Sequence, residues 1–312
     1  MLGRIFENLL AEVSEDTGEQ ARKAKGAYYT PREIVDFMCK ESLKTYFRSR
    51  IRGDENLETR LYQLIDSTER EFHDQDQNWR RDLRPFKEDL IAALDEIRVV
   101  DPACGSGAFP IGMMQLLVKV YERLEPRFDP YKAKLGIIER NIFGVDIEPM
   151  ATEISRLRAW LALVVDEVSE AKNLKPLPNL DFKFVTANTL IPLSENGQLS
   201  FFEDAELDKK LREIRDAYFN TQSLRQKSKL RSKYDSLVQE EVTLFGESER
   251  TAQLKSFRPF DSDAIATYFD PENMFGISGG FHIVIGNPPY IDYRKIDAET
   301  KKVIRKYQVA TT

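Results

Sequence analysis

Apolar positions recur every three or four residues along most of the chain, and at four places this rhythm gives way to short continuous apolar runs. Leu2, Ile5, Phe6, Leu9 and Leu10 predict an amphipathic helix over residues 2–13, followed by a polar loop to Lys25. Pro31 sits where a helix begins, with Thr30 as its N-cap, and that helix carries Ile34, Phe37, Met38 and Leu43. Residues 48–96 read as charged and helical, with one apolar stripe at Leu57, Leu61, Leu64 and Ile65. A second stripe follows at Leu83, Phe86, Leu90, Leu94 and Ile97.

The four continuous runs, Ile97–Val100, Asn141–Val145, Phe182–Val185 and Phe281–Ile285, read as buried strands. A helix starting near Pro110 (Ile111, Met114, Leu117, Tyr121, Leu124) and another from Pro149 through Val165 separate the first three. Strands alternating with helices predict an α/β fold built on a doubly wound parallel sheet. Between the third and fourth strands lies an insertion whose centre, Glu203 to Glu241, has 18 charged residues in 39 and no Gly or Pro. Leu207, Leu211, Ile214 and Tyr218, then Leu230, Tyr234 and Leu237, fit helical spacing, so a helical hairpin projecting from the sheet is expected. Within it Arg225, Lys227, Lys229, Arg231 and Lys233 form a basic stretch. It reads as a solvated helix face, or, more sharply, as a contact for a phosphate backbone. The expected division is a helical region over 1–96, an α/β core over 97–191, a helical insertion over 192–270, and the last strand with the chain end over 271–312.

Composition narrows the class. A chain of 312 residues, 41% hydrophobic and 31% charged, suits a soluble globular protein of two domains or one domain with large insertions. The longest apolar run, around Trp160 to Val165, is too short for a membrane span, and no signal peptide is visible. Two cysteines, Cys39 and Cys104, argue against a disulfide scaffold and for a reducing cytoplasm. The two histidines, His73 and His282, and the lack of any Cys-x-x-Cys spacing argue against a metal site. Forty-six basic and 52 acidic residues, a net charge of −6, speak against gripping nucleic acid with the whole surface, though not against a local basic groove.

Ligands of open α/β sheets bind beyond the carboxyl ends of the strands, and each predicted strand here ends in a usable residue. The first runs into Asp101-Pro-Ala-Cys-Gly-Ser-Gly107. Gly105 and Gly107 let backbone approach a ligand, but Pro110 breaks the full G-x-G-x-x-G, which disfavours a pyrophosphate site. The second ends at Asp146-Ile147, where a carboxylate is placed for the two hydroxyls of a ribose or for capping the helix at Pro149. The third ends near Asn188, whose amide offers both a donor and an acceptor to an adenine edge, or simply makes a turn. The fourth ends in Gly286-Asn287-Pro288-Pro289-Tyr290. Two prolines have no use in a ladder, but they make a rigid segment that aims a carbonyl and an amide at a common point.

With these residues in hand the chain resembles the S-adenosylmethionine-dependent DNA adenine-N6 methyltransferases of the gamma class, as found in fused type II restriction–modification enzymes and type I modification subunits. Asp101-Pro-Ala-Cys-Gly-Ser-Gly107 resembles that family's methionine-binding motif, Asp146 its ribose-binding acid and Asn287-Pro-Pro-Tyr290 its catalytic motif. Gly26-Ala-Tyr-Tyr-Thr-Pro31 resembles the segment that closes over the methionine end of the cofactor. The resemblance implies a cofactor, S-adenosyl-L-methionine, held by Tyr29, Thr30, Asp101, Ala103, Gly105, Gly107, Asp146, Ile147 and Asn188. It implies catalysis by Asn287, Pro288, Pro289 and Tyr290 on an adenine flipped out of double-stranded DNA, with no metal. Many relatives carry Asp at the position of Asn188. Cytosine C5 chemistry is not expected, because neither cysteine follows a proline in a nucleophile motif. The chain stops 22 residues after Tyr290 with four strands in hand. It is therefore expected to be a truncated methylase region, served by a missing recognition domain or subunit and by a nuclease module where one is attached. Asn-Pro-Pro-Tyr also occurs in methyltransferases acting on a protein glutamine or on RNA, and a non-catalytic cofactor-binding fragment is the third reading. The upstream Gly-Ala-Tyr-Tyr-Thr-Pro segment and the long insertion favour the DNA enzyme over the glutamine and RNA enzymes.

Overall fold

A computed structural model describes residues 30–51, 53, 55–68, 71, 83–125, 129–167, 179–194, 201–221, 223–245, 249–290, 294, 296, 298–305 and 307. The expected helix over 2–13 and Tyr29 lie outside these residues. The elements run α1 (Arg32–Arg50), α2 (Glu55–Asp66), a 3-10 turn (Arg84–Phe86), α3 (Lys87–Glu96), β1 (Val99–Asp101), α4 (Ala108–Leu124), α5 (Pro130–Arg140) and β2 (Ile142–Asp146). Then follow α6 (Pro149–Glu167), β3 (Phe184–Thr186), α7 (Phe201–Asn220), α8 (Leu224–Phe245), α9 (Glu249–Ser256), α10 (Pro271–Phe275), β4 (Ile283–Val284) and α11 (Ala298–Ile304). The long spacing between Gly107 and Asp146 is explained by two helices, α4 and α5, in place of one. The second starts cleanly, with Asp129 accepting from the Lys132 N–H at 3.1 Å and Pro130 in the first turn.

The four strands form one all-parallel sheet in the order β3-β2-β1-β4. Val99 lies opposite Ile142 on one side and Ile283 on the other, while Gly144 lies opposite Phe184. The ladders are shorter than the apolar runs. β4 pairs over two residues where five were expected, and among the described residues only β1 lies beside it. After three strands advance to one side, the chain returns to the far side of β1. The crevice at the carboxyl ends of β1 and β4 is therefore the topological switch point, where ligands of such sheets bind.

Alternate residues send apolar side chains to opposite faces. Val99, Ile142, Phe184, Ile283 and Ile285 pack with the core of α1 to α6, including Leu43, Phe47, Leu64, Leu90, Met113, Leu117 and Leu163. Val100, Phe143, Val145 and Val185 face a second core containing Leu211, Ile214, Tyr218, Tyr234, Leu254 and Phe257. The expectation of a projecting hairpin is thus corrected. The hairpin forms, but it lies down as the second layer. A parallel sheet must be covered on both faces, and the apolar stripe of α7 has nowhere else to go. Phe182 is the centre of this layer, meeting Tyr218, Tyr234, Phe257 and Phe260 at edge-on angles with centroids 5.6–6.4 Å apart. Of the basic stretch, Arg231 stacks on Phe260 at 4.9 Å and donates to the Tyr218 hydroxyl at 2.8 Å. Arg225, Lys229 and Lys233 stay exposed on the solvated face.

One buried amide ties the helical region to the sheet. Asn141, with no exposed surface, donates to the carbonyls of Leu94, Asp95 and Ile97 at 2.6–3.2 Å. The carboxyl end of α3 is thereby fixed against the start of β2.

Candidate active site

The loop after β1 is built on backbone bonds. Cys104 N–H donates to Val145 O and Gly107 N–H to Cys104 O, both at 2.8 Å, so the loop folds back over the end of β2. Gly107 stands at φ +79°, and a Cβ there would lie 2.8 Å from Ser155 Oγ. Both facts require glycine. Ser155 donates to Gly105 O at 2.9 Å and Arg158 to Ser106 O at 2.6 Å, so one face of α6 braces the loop from behind. These two residues escaped the sequence reading. Their signal was a serine and an arginine three apart on one helix face, which many solvated helices share.

Asp146 ends β2 and accepts from Gly105 N–H at 2.7 Å and from Glu148 N–H at 2.9 Å. It therefore turns the chain toward α6 through Glu148 and ties the end of β2 to the glycine loop. Burial pushes its carboxyl above the usual carboxylate range, against the pull of the two N–H groups. Asp101 ends β1 and is 1% exposed. Its Oδ1 accepts from Ala103 N–H at 3.1 Å, while its Oδ2 is buried with no hydrogen-bond partner among the described residues. Burial pushes this carboxyl up to about 7. The Ala103 N–H opposes the rise and the charge of Asp146 adds to it.

The end of β4 fits directly against this group. A Cβ on Gly286 would stand 2.4 Å from Asp101 Oδ1 and 3.2 Å from Cγ, so only glycine lets the strand pass. Gly286 directly precedes the motif and is not among the expected site residues. A glycine at a strand end is the signature of close backbone approach, and that signal was available. Beyond it Asn287 is half-buried and Pro288, Pro289 and Tyr290 are exposed, Tyr290 at 76%.

Thr30 does not cap α1 through its side chain. Pro31 occupies the N-cap position with no side-chain cap bond, and Thr30 Oγ1 instead accepts from Asn287 Nδ2 at 3.2 Å. The proline forces Thr30 out of helical geometry, which frees its hydroxyl for this contact 257 residues away in the chain. Thr30, Asp101, Ala103, Gly105, Asp146 and Asn287 thus belong to one neighbourhood. Ile147 beside Asp146 is 57% exposed, as is Met150 at 48%, and they offer an apolar surface next to the carboxylate. Asn188 follows β3, on the far side of β2. Its Oδ1 accepts from Leu190 N–H at 3.1 Å and its N–H donates to Ala266 O, so the turn reading describes its carbonyl end. Cys104 is buried in the loop, and burial raises its thiol well above the ordinary range. A recess of about 370 Å³ lined by Tyr234, Phe257, Phe260 and Lys255 lies against the insertion and shares no residue with this site. No helix among the described residues is long and apolar enough to cross a membrane.

A family profile described as Eco57I restriction-modification methylase matches residues 140–312. A protein of Methanocaldococcus jannaschii, described as a candidate type II restriction enzyme and methyltransferase, is 34% identical over 201 residues, covering 61% of this chain and 16% of the relative. An adenine-specific methyltransferase, PglX, of Lacticaseibacillus casei is 24% identical over 305 residues, 91% of this chain and 23% of the relative. A DNA methyltransferase of Bacillus subtilis is 28% identical over 79 residues, 24% of this chain and 9% of the relative. The chain therefore spans less than a quarter of the length of each of these relatives.

Proposed function

The chain belongs to the Eco57I restriction-modification methylase family, and from that premise we propose that it transfers a methyl group from S-adenosyl-L-methionine to N6 of adenine in DNA. The observation that carries this reading is the junction at the switch point. Gly286 brings Asn287-Pro-Pro-Tyr290 against Asp101, and Asp101 opens the glycine loop. Cofactor residues and catalytic residues then meet at the ends of two adjacent strands.

The residues present fit that cofactor. The orphaned Oδ2 of Asp101 and the carboxylate of Asp146, both raised by burial, favour a cationic ligand rich in hydroxyl donors. Thr30, Asp101, Ala103, Gly105 and Gly107 are assigned to the methionine end, with Tyr29 of the same segment. Asp146 is assigned to the ribose, and Ile147 with Asn188 to the adenine. When bound, the cofactor supplies a methyl group on a positively charged sulfur.

The target amine is a weak nucleophile, because its lone pair is delocalised into the ring. Asn287 Oδ1 and the Pro288 carbonyl would each accept one N6–H bond, turning that lone pair out of conjugation toward the methyl group, so that an N–CH3 bond would form as the S–CH3 bond breaks, leaving the neutral thioether and releasing one N6 proton to solvent. Positioning and hydrogen bonding supply the rate. Pro289 stiffens the segment, and the exposed ring of Tyr290 stacks on the flipped base. Double-stranded DNA is the proposed partner, with a recognition domain or subunit and a nuclease module completing the restriction–modification system, and the cytoplasm is the proposed location.

Two variants test the assignment. Calorimetry should give S-adenosylmethionine binding that Asp146→Ala abolishes and Asn287→Ala leaves within about threefold. Methyl transfer to unmethylated DNA should vanish in Asn287→Ala, and persistent transfer would refute the catalytic role.

A further inference from the structure

We infer that Thr30 is a positioning residue for Asn287, anchoring the Nδ2 end of its amide while Oδ1 serves the target amine. The inference rests on the proposed adenine chemistry and concerns a different task from holding the methionine end of the cofactor.

An asparagine amide has an acceptor at one end and a donor at the other, and rotation by half a turn exchanges them. The terminal torsion of Asn is broad and nearly two-fold, so the residue itself does not choose. The proposed reaction does choose. The amine donates both N6–H bonds, so a donor turned toward it is repelled and only Oδ1 serves. The correct orientation then leaves Nδ2 pointing away from the substrate and in need of an acceptor. Thr30 Oγ1 is that acceptor, 3.2 Å from Nδ2. A half-buried N–H left without a partner would cost on the order of 1–3 kcal/mol, enough to loosen the amide from the position the reaction needs.

The hydroxyl is held in place by the fold. Thr30 is followed by Pro31 and then by α1, whose Val35, Cys39 and Leu43 are buried in the core formed with α4. The approach is close. A Cβ on Gly112 of α4 would lie 2.7 Å from Val35 Cγ1. The helix α4 begins directly after Gly107. Thr30 at the start of α1, the glycine loop before α4 and the amide of Asn287 are therefore linked through one packed helix pair.

Two measurements on the same protein test this. In single-turnover methyl transfer with saturating S-adenosylmethionine and unmethylated DNA, Thr30→Val should lower the rate by about 10- to 100-fold. Thr30→Ser, which keeps the hydroxyl, should stay within about threefold of the parent. Saturating cofactor separates this loss from any weakening of the methionine contact assigned to Thr30, which calorimetry reads on its own. A Thr30→Val protein that loses cofactor affinity but transfers at the parental rate when saturated would overturn the inference, because Thr30 would then act on the cofactor alone. The second measurement needs no turnover. The side-chain amide signal of Asn287 in nitrogen-edited NMR, identified by its loss in Asn287→Asp, should shift and exchange faster in Thr30→Val but not in Thr30→Ser. An unchanged signal in Thr30→Val would likewise overturn it. Transfer that survives Asn287→Ala would instead refute the proposed function itself, so the two failures are distinguishable.

Discussion

Replacing Asp101 by asparagine should remove a pH-dependent burden that the folded protein carries. The carboxyl is 1% exposed, one of its oxygens lacks a hydrogen-bond partner among the described residues, and burial moves its pKa from 3.8 to about 7. A raised carboxyl means that the folded state holds a proton which the unfolded chain has released. Its contribution to stability is therefore complete below about pH 4 and is lost as pH rises through about 7. Each pKa unit is worth about 1.4 kcal/mol, so a shift of about three units removes about 4 kcal/mol in full. Integrating between pH 5 and pH 9 leaves about 2.7 kcal/mol of that loss inside the measurable window. Asparagine cannot titrate, yet its Oδ1 can still accept from the Ala103 N–H. Urea unfolding of the parent and of Asp101→Asn at pH 5, 7 and 9, without cofactor, gives the comparison. The difference between them should move by about 2–3 kcal/mol in favour of the variant from pH 5 to pH 9. Curves for the two proteins that run parallel across that range would refute the reasoning, since Asp101 would then be ionised and satisfied in the folded state. Saturating S-adenosylmethionine should reduce the slope, because a cation beside the carboxyl favours its charged form.

Gly286→Ala forces a Cβ to 2.4 Å from the buried Asp101 oxygen; thermal unfolding should show a loss of about 1–3 kcal/mol together with weakened cofactor binding. A melting curve and cofactor affinity identical to the parent would show that β4 is not seated on Asp101. Asn141→Ala strips three buried carbonyls at the end of α3 of a shared donor. Denaturant unfolding should register a destabilisation of about 2–3 kcal/mol, with the cofactor site left intact in calorimetry at temperatures where the protein is folded.

Sequence and structure divide along a physical line. The parallel α/β sheet was legible, because buried strands are continuous apolar runs and helices carry a three-to-four-residue rhythm. Those signals are local and survive without a partner. Asp101, Asp146 and Asn287 were legible for a related reason: each stands at the end of a run, and in an open parallel sheet the ends of strands are where ligands bind. The order β3-β2-β1-β4 was not legible, since no periodicity says on which side of β1 the fourth strand lands. That choice alone makes the first and fourth motifs neighbours. The layer formed by α7 and α8 was misjudged as a projection. Its charge density is visible in sequence, whereas the aromatic surface it covers, Phe143 of β2 and Phe182 in the turn before β3, lies up to about a hundred residues away. Gly286 against Asp101, Ser155 behind the glycine loop, and Thr30 turned from an N-cap to Asn287 were likewise settled by tertiary contact. Each depends on a distance between atoms remote in sequence. The sequence by itself determined which chemistry was available at the strand ends, because residue type and local pattern carry it. Only the folded chain decided which of those groups touch, because contact at a few ångströms is a property of packing.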